Sequence, residues 1–172
     1  MDLQRLIRVI PDFPKPGVSF KDITTVLKDA QALRYVVQEM ARHYTDQDID
    51  IVTGIESRGF IFSAPLAYEM GLGLVPIRKP GKLPAEKLRI EYSLEYGTDA
   101  LEIHRDAIRP GQRVLLVDDL LATGGTISAA ADLIEQLGGV VAGCAFFVEL
   151  GFLGGRERLG DREIFSLVIY DE

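Results

Sequence analysis

The chain has 172 residues, 47% of them hydrophobic and 26% charged, enough for one domain with a buried core and hardly enough for two. No apolar run approaches the ~20 residues of a helical membrane span. The single cysteine, Cys144, excludes an internal disulfide framework and a zinc site built on cysteines. With 19 basic against 26 acidic side chains the net charge is −7, which argues against a general nucleic-acid binder but not against a local cluster for a small anion. The opening Met1-Asp2-Leu3-Gln4-Arg5 lacks the basic start and apolar stretch of a signal peptide, so a cytoplasmic protein is expected.

Residues 1–30, punctuated by Pro11, Pro14, Pro16 and Gly17, read as an irregular lobe over the domain rather than as a sheet layer. Beyond them helical and strand patterns alternate. Helices are expected over 30–43, 60–70 and 126–137, and strands over 49–54, 74–77, 114–117, 140–148 and 164–169. Residues 89–96 break the alternation, with Ile90, Tyr92, Leu94 and Tyr96 on one face and Arg89, Glu91, Ser93 and Glu95 on the other. Gly97 then offers a turn before a return strand from Leu101, so a half-exposed β-hairpin is expected to project from the sheet. The order predicts a single α/β domain over 1–172, with a mostly parallel central sheet flanked by helices, an N-terminal hood lobe and a hairpin lid.

Chemistry concentrates at residues 114–126. A buried strand ends in Asp118-Asp119, and the turn Ala122-Thr123-Gly124-Gly125-Thr126 opens a helix. Backbone N–H groups at a helix start, unobstructed because glycine lacks Cβ, form an anion pocket sized for a phosphate. The hydroxyls of Thr123 and Thr126 add donors, and the two carboxylates suit vicinal sugar hydroxyls. The combination describes a ribose 5-phosphate site at the carboxyl end of a parallel strand. A plain strand–turn–helix corner, with the carboxylates as caps, is the simpler alternative for the turn alone. Residues 54–59 have the glycine spacing of a Walker A loop, but Phe60 and Ile61 stand where Lys and Ser/Thr are required, so an ATPase is excluded. Arg78, Lys79 and Lys82 form the densest basic stretch, and Lys87 and Arg89 beyond it read as solvated charges.

Residues 117–126 resemble the donor motif of the type I phosphoribosyltransferases. Residues 11–23, Glu56-Ser57-Arg58-Gly59-Phe60 and residues 92–97 narrow the resemblance to the adenine phosphoribosyltransferase family, and the likeness runs over essentially the whole chain. It implies a transferase of purine salvage that joins adenine to 5-phosphoribosyl 1-diphosphate, giving AMP and diphosphate. The alternatives are a type I phosphoribosyltransferase for another base and a non-catalytic regulator that senses the donor.

The resemblance also implies roles. Asp118, Asp119 and the turn from Ala122 through Thr123, Gly124 and Gly125 to Thr126 would hold the ribose 5-phosphate. Glu56, Ser57, Arg58, Arg78, Lys79 and Lys82 would face the diphosphate, cations like the last three often coming from the neighbouring subunit of a dimer in this family, and a non-proline cis peptide would fall at Glu56–Ser57. The family commonly has Asp where Glu56 stands. Phe20 would stack on the base between Val18, Ser19, Lys21 and, on the other face, Leu150. Glu95, with Arg58, would be catalytic, and Tyr96 would accompany it on the lid. Magnesium is the expected cofactor, held mainly by substrate and water rather than by the protein. A homodimer acting on small molecules, with neither nucleic acid nor membrane as partner, is expected. His43 and His104 read as structural or solvent-exposed, and Cys144 as a small core residue.

Overall fold

The computed structural model describes residues 1–94 and 97–172. Among these, the helices are α1 (Leu3–Leu6), α2 (Thr24–Leu27), α3 (Ala30–His43), α4 (Gly59–Met70) and α5 (Gly125–Gln136). The strands are β1 (Arg8–Ile10), β2 (Phe20–Asp22), β3 (Ile51–Ile55), β4 (Gly73–Ile77), β5 (Lys87–Ser93), β6 (Thr98–His104), β7 (Arg113–Leu121), β8 (Val140–Leu150) and β9 (Ile164–Tyr170). Among the described residues β4-β3-β7-β8-β9 form a five-stranded sheet in that order, every pair parallel.

Alternation along β7 divides the core. Leu115 and Val117 face one side with Ala145 and Phe147 of β8, under α3 and α4. Val114 and Leu116 face the other with Cys144 and Phe146, under Ile127, Ala130, Leu133 and Ile134 of α5. A parallel sheet buried on both faces explains why its strands read as continuous apolar runs. Helix α3 is set by its N-cap, where the Asp29 carboxylate accepts from the N–H groups of Gln31 and Ala32 at 2.9 and 3.0 Å. Its buried Ala32, Val36, Val37 and Met40 share one face.

The N-terminal lobe differs from the sequence expectation. It contains a small antiparallel sheet, β1 against β2, and the short helices α1 and α2. An ion pair fixes it: Asp22 accepts from Arg8 Nε at 2.8 Å and from the Thr24 N–H and hydroxyl at 2.9 and 2.7 Å. The Phe13–Pro14 bond is cis. Strand β7 runs four residues past the expected end at 117, so Asp118 and Asp119 lie inside the strand. Pairing with β8 carries it on, with Asp118 opposite Phe146 and Leu121 opposite Glu149. In the hairpin, Ile90 and Tyr92 are half-buried while Leu94 is 44% exposed and leaves the apolar face. His43 has a partner across the fold: its Nε2 lies 2.6 Å from Glu163 Oε1, and its ring stacks on Phe165 at 4.2 Å.

Candidate active site

Parallel register puts the carboxyl ends of β4, β3 and β7 side by side, with Ile55 opposite Ile77 and Gly54 opposite Val117. Three polar segments therefore leave the sheet at one edge: Arg78-Lys79 after β4, Glu56-Ser57-Arg58 after β3, and Asp118-Asp119 with the glycine turn from β7. This is where open parallel α/β sheets take ligands.

The turn after β3 is dense in paired charge, and its Glu56–Ser57 peptide is cis. Glu56 Oε2 accepts from Arg78 Nε and Nη2 at 3.1 and 2.9 Å and lies 3.5 Å from Lys82 Nζ. Its Oε1 accepts the Lys79 N–H at 2.5 Å. Burial pushes this carboxyl up, but the Lys79 N–H and the Arg78 and Lys82 cations outweigh it and hold it below the usual range. Arg58, at the start of α4, donates from Nε to Asp119 Oδ2 at 2.6 Å. Asp118 is half-buried beside it, and its Oδ1 accepts the Asp119 N–H at 2.9 Å. Burial first, then the neighbouring Asp119 charge, raises the Asp118 carboxyl well above the ordinary value. Gly59 makes this approach possible, since a Cβ there would meet Asp118 Oδ1 at 2.8 Å and the Val117 carbonyl at 3.2 Å.

The turn after β7 is built from backbone. Gly124, with φ +83°, precedes α5, whose first N–H groups have no intrahelical acceptor. A Cβ on Gly124 would lie 2.5 Å from the Gly155 carbonyl oxygen, and one on Gly155 would strike the Ala122 carbonyl. The turn thus interlocks with the 3-10 helix Gly155–Leu159. That segment is anchored by a fork from Arg156 to the buried Glu149, at 2.7 and 2.8 Å. A cavity of about 90 Å³ opens between Asp118, Ala122, Thr123, Gly124 and Thr126.

The N-terminal lobe reaches this edge. The Arg58 guanidinium lies 5.7 Å from the Phe20 ring centroid, and Phe13 meets Phe20 edge-on at 5.2 Å. Lys21 is buried, donates to Ser19 Oγ at 3.2 Å and stands 4.2 Å over the Tyr170 ring. Tyr170 pairs in register with Leu150. Val18 is half-buried, and its carbonyl accepts the Phe13 N–H at 3.1 Å.

Comparison with known proteins identifies the lineage. The family model of the phosphoribosyl transferase domain matches residues 23–170. An adenine phosphoribosyltransferase of Chloroflexus aurantiacus is 66% identical over 97% of this chain and 96% of its own length. One from Clostridium perfringens is 60% identical over 99% of each. The chain belongs to the adenine phosphoribosyltransferase family. Among solved adenine phosphoribosyltransferases, that of Thermoanaerobacter pseudethanolicus superposes with a TM-score of 0.95 at 56% identity, covering 98% of both chains. The Saccharomyces cerevisiae enzyme, solved with adenine and an imino-altritol bisphosphate, gives 0.91 at 37% identity over 96% of each.

Within an adenine phosphoribosyltransferase framework, the structure brings Phe20, Arg58, Asp118, Asp119 and Glu56 into one neighbourhood, with Arg78, Lys79 and Lys82 around the last. Ser57 is exposed at the turn. Glu95 and Tyr96 lie outside the described residues. Four residues at this edge were given no site role by the sequence reading. Asp99 pairs with the Lys79 ammonium, and Tyr92 hydroxyl lies 3.3 Å from both Lys79 Nζ and Thr126 Oγ1. A Cβ built on Gly125 would stand 3.4 Å from the Arg158 guanidinium, which thus overhangs the glycine turn. Gly155 supports that turn from below. Tyr92 was visible as a hairpin aromatic, whereas Asp99, Gly155 and Arg158 carry no local pattern that marks them.

Proposed function

We infer that the chain transfers the phosphoribosyl group of 5-phosphoribosyl 1-diphosphate to adenine, forming AMP and diphosphate in purine salvage. The observation that carries this reading is the convergence at one sheet edge of a backbone-built phosphate turn, a carboxylate pair, a cation-rich turn and an aromatic lobe. In the ordinary course of such a transfer the C1–O bond lengthens before the base nitrogen closes, so positive charge develops on the ribose. The glycine turn, with Thr123 and Thr126, anchors the 5-phosphate remote from the reacting carbon and fixes its position. Asp118 and Asp119 take the ribose hydroxyls, and the Asp119 carboxylate sets negative potential beside the developing cation. Arg58 and Lys79, with Arg78 and Lys82 braced on Glu56, face the departing diphosphate. Phe20 and Leu150 sandwich the base, and polar groups of Ser19 and Lys21 select its edge, where a mismatched base leaves a buried group unpaired. Glu95, accompanied by Tyr96, is assigned the catalytic role with Arg58, accepting a proton from the base or stabilising charge on it.

Magnesium fits this donor set. A hard cation that keeps several waters would be held mainly by the phosphate oxygens of the donor and by water, with the carboxylates of Asp118 and Asp119 close by rather than as a protein cage. When bound, it supplies neutralisation of the diphosphate charge.

We further propose a homodimer acting in the cytoplasm. Ile61 and Tyr68 of α4 are 39% and 87% exposed, and Leu74 on the edge strand β4 is 38% exposed. Exposed apolar side chains of this kind, on α4 and on the edge strand, suit contact with a second copy. Among the described residues no helix is long and apolar enough to cross a membrane.

The test is formation of AMP and diphosphate from adenine and the ribosyl donor, with and without magnesium, beside hypoxanthine and guanine. Magnesium-dependent turnover of adenine alone is expected. Turnover of another base alone would overturn the reading of the Phe20 lobe.

A further inference from the structure

Three carboxylate–cation pairs line the site edge, and they differ in how readily they can open. Asp119, bound by Arg58, has a side chain only 8% exposed. Glu56, bound by Arg78 and Lys82, is 5% exposed. Removing the cation from either leaves a buried carboxylate without compensation. The Lys79–Asp99 pair is different, with side chains 36% and 32% exposed. Water can take over Asp99 if its lysine departs. Lysine also suits exchange, as a compact charge with rotatable donors on a flexible stem.

The position of this pair gives the exchange a purpose. The Lys79 main chain is pinned to the turn after β3 through its N–H to Glu56. Its ammonium reaches Tyr92 hydroxyl at 3.3 Å, and that hydroxyl lies 3.3 Å from Thr126 Oγ1 in the glycine turn. The ammonium therefore stands between the two anion-binding turns. Asp99 holds it there from β6, directly across the hairpin from Tyr92. The lysine is thus attached to the scaffold at its backbone and to the hairpin at its tip.

We propose that Asp99 occupies the Lys79 ammonium in place of the donor's diphosphate and yields it when the diphosphate binds. Asp99 is then a positioning residue that acts through Lys79. It keeps the cation aimed between the turns, and it weakens diphosphate binding by competing for it. The inference rests on the reading above that the diphosphate sits at this edge.

The test measures affinity for inorganic pyrophosphate and for ribose 5-phosphate, together with KM for the donor, in the wild type, Asp99→Asn, Lys79→Gln and the double variant at fixed magnesium. Asn keeps an oxygen for the Ala100 N–H that Asp99 accepts at 2.8 Å. Asp99→Asn is expected to tighten pyrophosphate about three- to tenfold and to lower donor KM, the size of a modest partly exposed charge pair. Ribose 5-phosphate affinity should not change. Lys79→Gln should weaken pyrophosphate about tenfold, and Asp99→Asn should add no tightening on top of it. A structural role for Asp99 predicts weaker binding of every ligand instead. If Asp99→Asn fails to tighten pyrophosphate while Lys79→Gln weakens it, the exchange is wrong and the diphosphate assignment stands. If Lys79→Gln leaves pyrophosphate affinity unchanged, the diphosphate reading of Lys79 is wrong and the inference falls with it.

Discussion

The two turns at the site edge, each proposed to bind an anion, are built by different means. The turn after β7 uses backbone and hydroxyl groups, and its glycines are locked by close approach to the Gly155 segment. The turn after β3 uses side-chain charge, with its cations already engaged by Glu56, Asp119 and, through Lys79, Asp99. The difference follows the chemistry assigned to each. A 5-phosphate stays in place from substrate to product, so preorganised dipoles that need no rearrangement serve it well. A diphosphate arrives and leaves with its charge, so the proposed arrangement sets one exchangeable cation, Lys79 on the partly exposed Asp99, beside cations held in place by the buried Glu56 and Asp119.

The largest expected effect comes from disturbing the fixed turn. Gly124→Ala forces a positive φ on an L side chain and drives Cβ toward the Gly155 carbonyl. A cost of about 3 kcal/mol, felt as roughly 100-fold in donor kcat/KM, is expected. Steady-state kinetics check it, and activity within about twofold of wild type would break the claim that this turn is rigid. Next in size is Arg58→Gln, which leaves the buried Asp119 without its cation beside Asp118. A loss of roughly 10- to 100-fold in kcat/KM is expected, with pyrophosphate affinity falling more than ribose 5-phosphate affinity. Equal losses for both ligands would erase the contrast between the turns.

The smallest effect lies in the lobe that carries Phe20. Hydrogen bonds from the Thr24 hydroxyl and N–H, with the Arg8 guanidinium, lower the Asp22 carboxyl from 3.8 to about 2. A depressed carboxylate stabilises the fold above its unfolded value and loses that contribution as pH falls through the folded one. Stability supplied by Asp22 is therefore complete above about pH 4 and fades toward pH 2. Thermal melts of Asp22→Asn should fall below wild type at pH 7 and converge on it near pH 2. A gap that persists at low pH would assign the loss to packing.

The same contrast explains what the sequence disclosed. Helix α3 was legible to its ends because Asp29 caps it and its apolar spacing is regular. The glycine turn was legible because Thr, Gly and the strand before it form one contiguous signal. Strand β7 was cut short at Val117 because paired aspartates are poor strand formers, yet β8 pairs with them regardless. The β1–β2 sheet escaped because three-residue strands among prolines leave no period to read. The charge pairs escaped for a different reason: Glu56 and Arg78, Arg58 and Asp119, and Lys79 and Asp99 are each joined only by the fold. Backbone sites are written locally, whereas sites made of paired side chains are written by topology.

The most direct test is a crystal structure of the chain with ribose 5-phosphate, pyrophosphate and magnesium bound together. The account predicts the sugar phosphate on the N–H groups of residues 124–126 with that turn unmoved. It predicts pyrophosphate between Arg58 and Lys79, with the Lys79–Asp99 pair opened and the Arg78–Glu56 pair intact. A glycine turn that rearranges around its phosphate, or pyrophosphate bound with Lys79 still on Asp99, would contradict it.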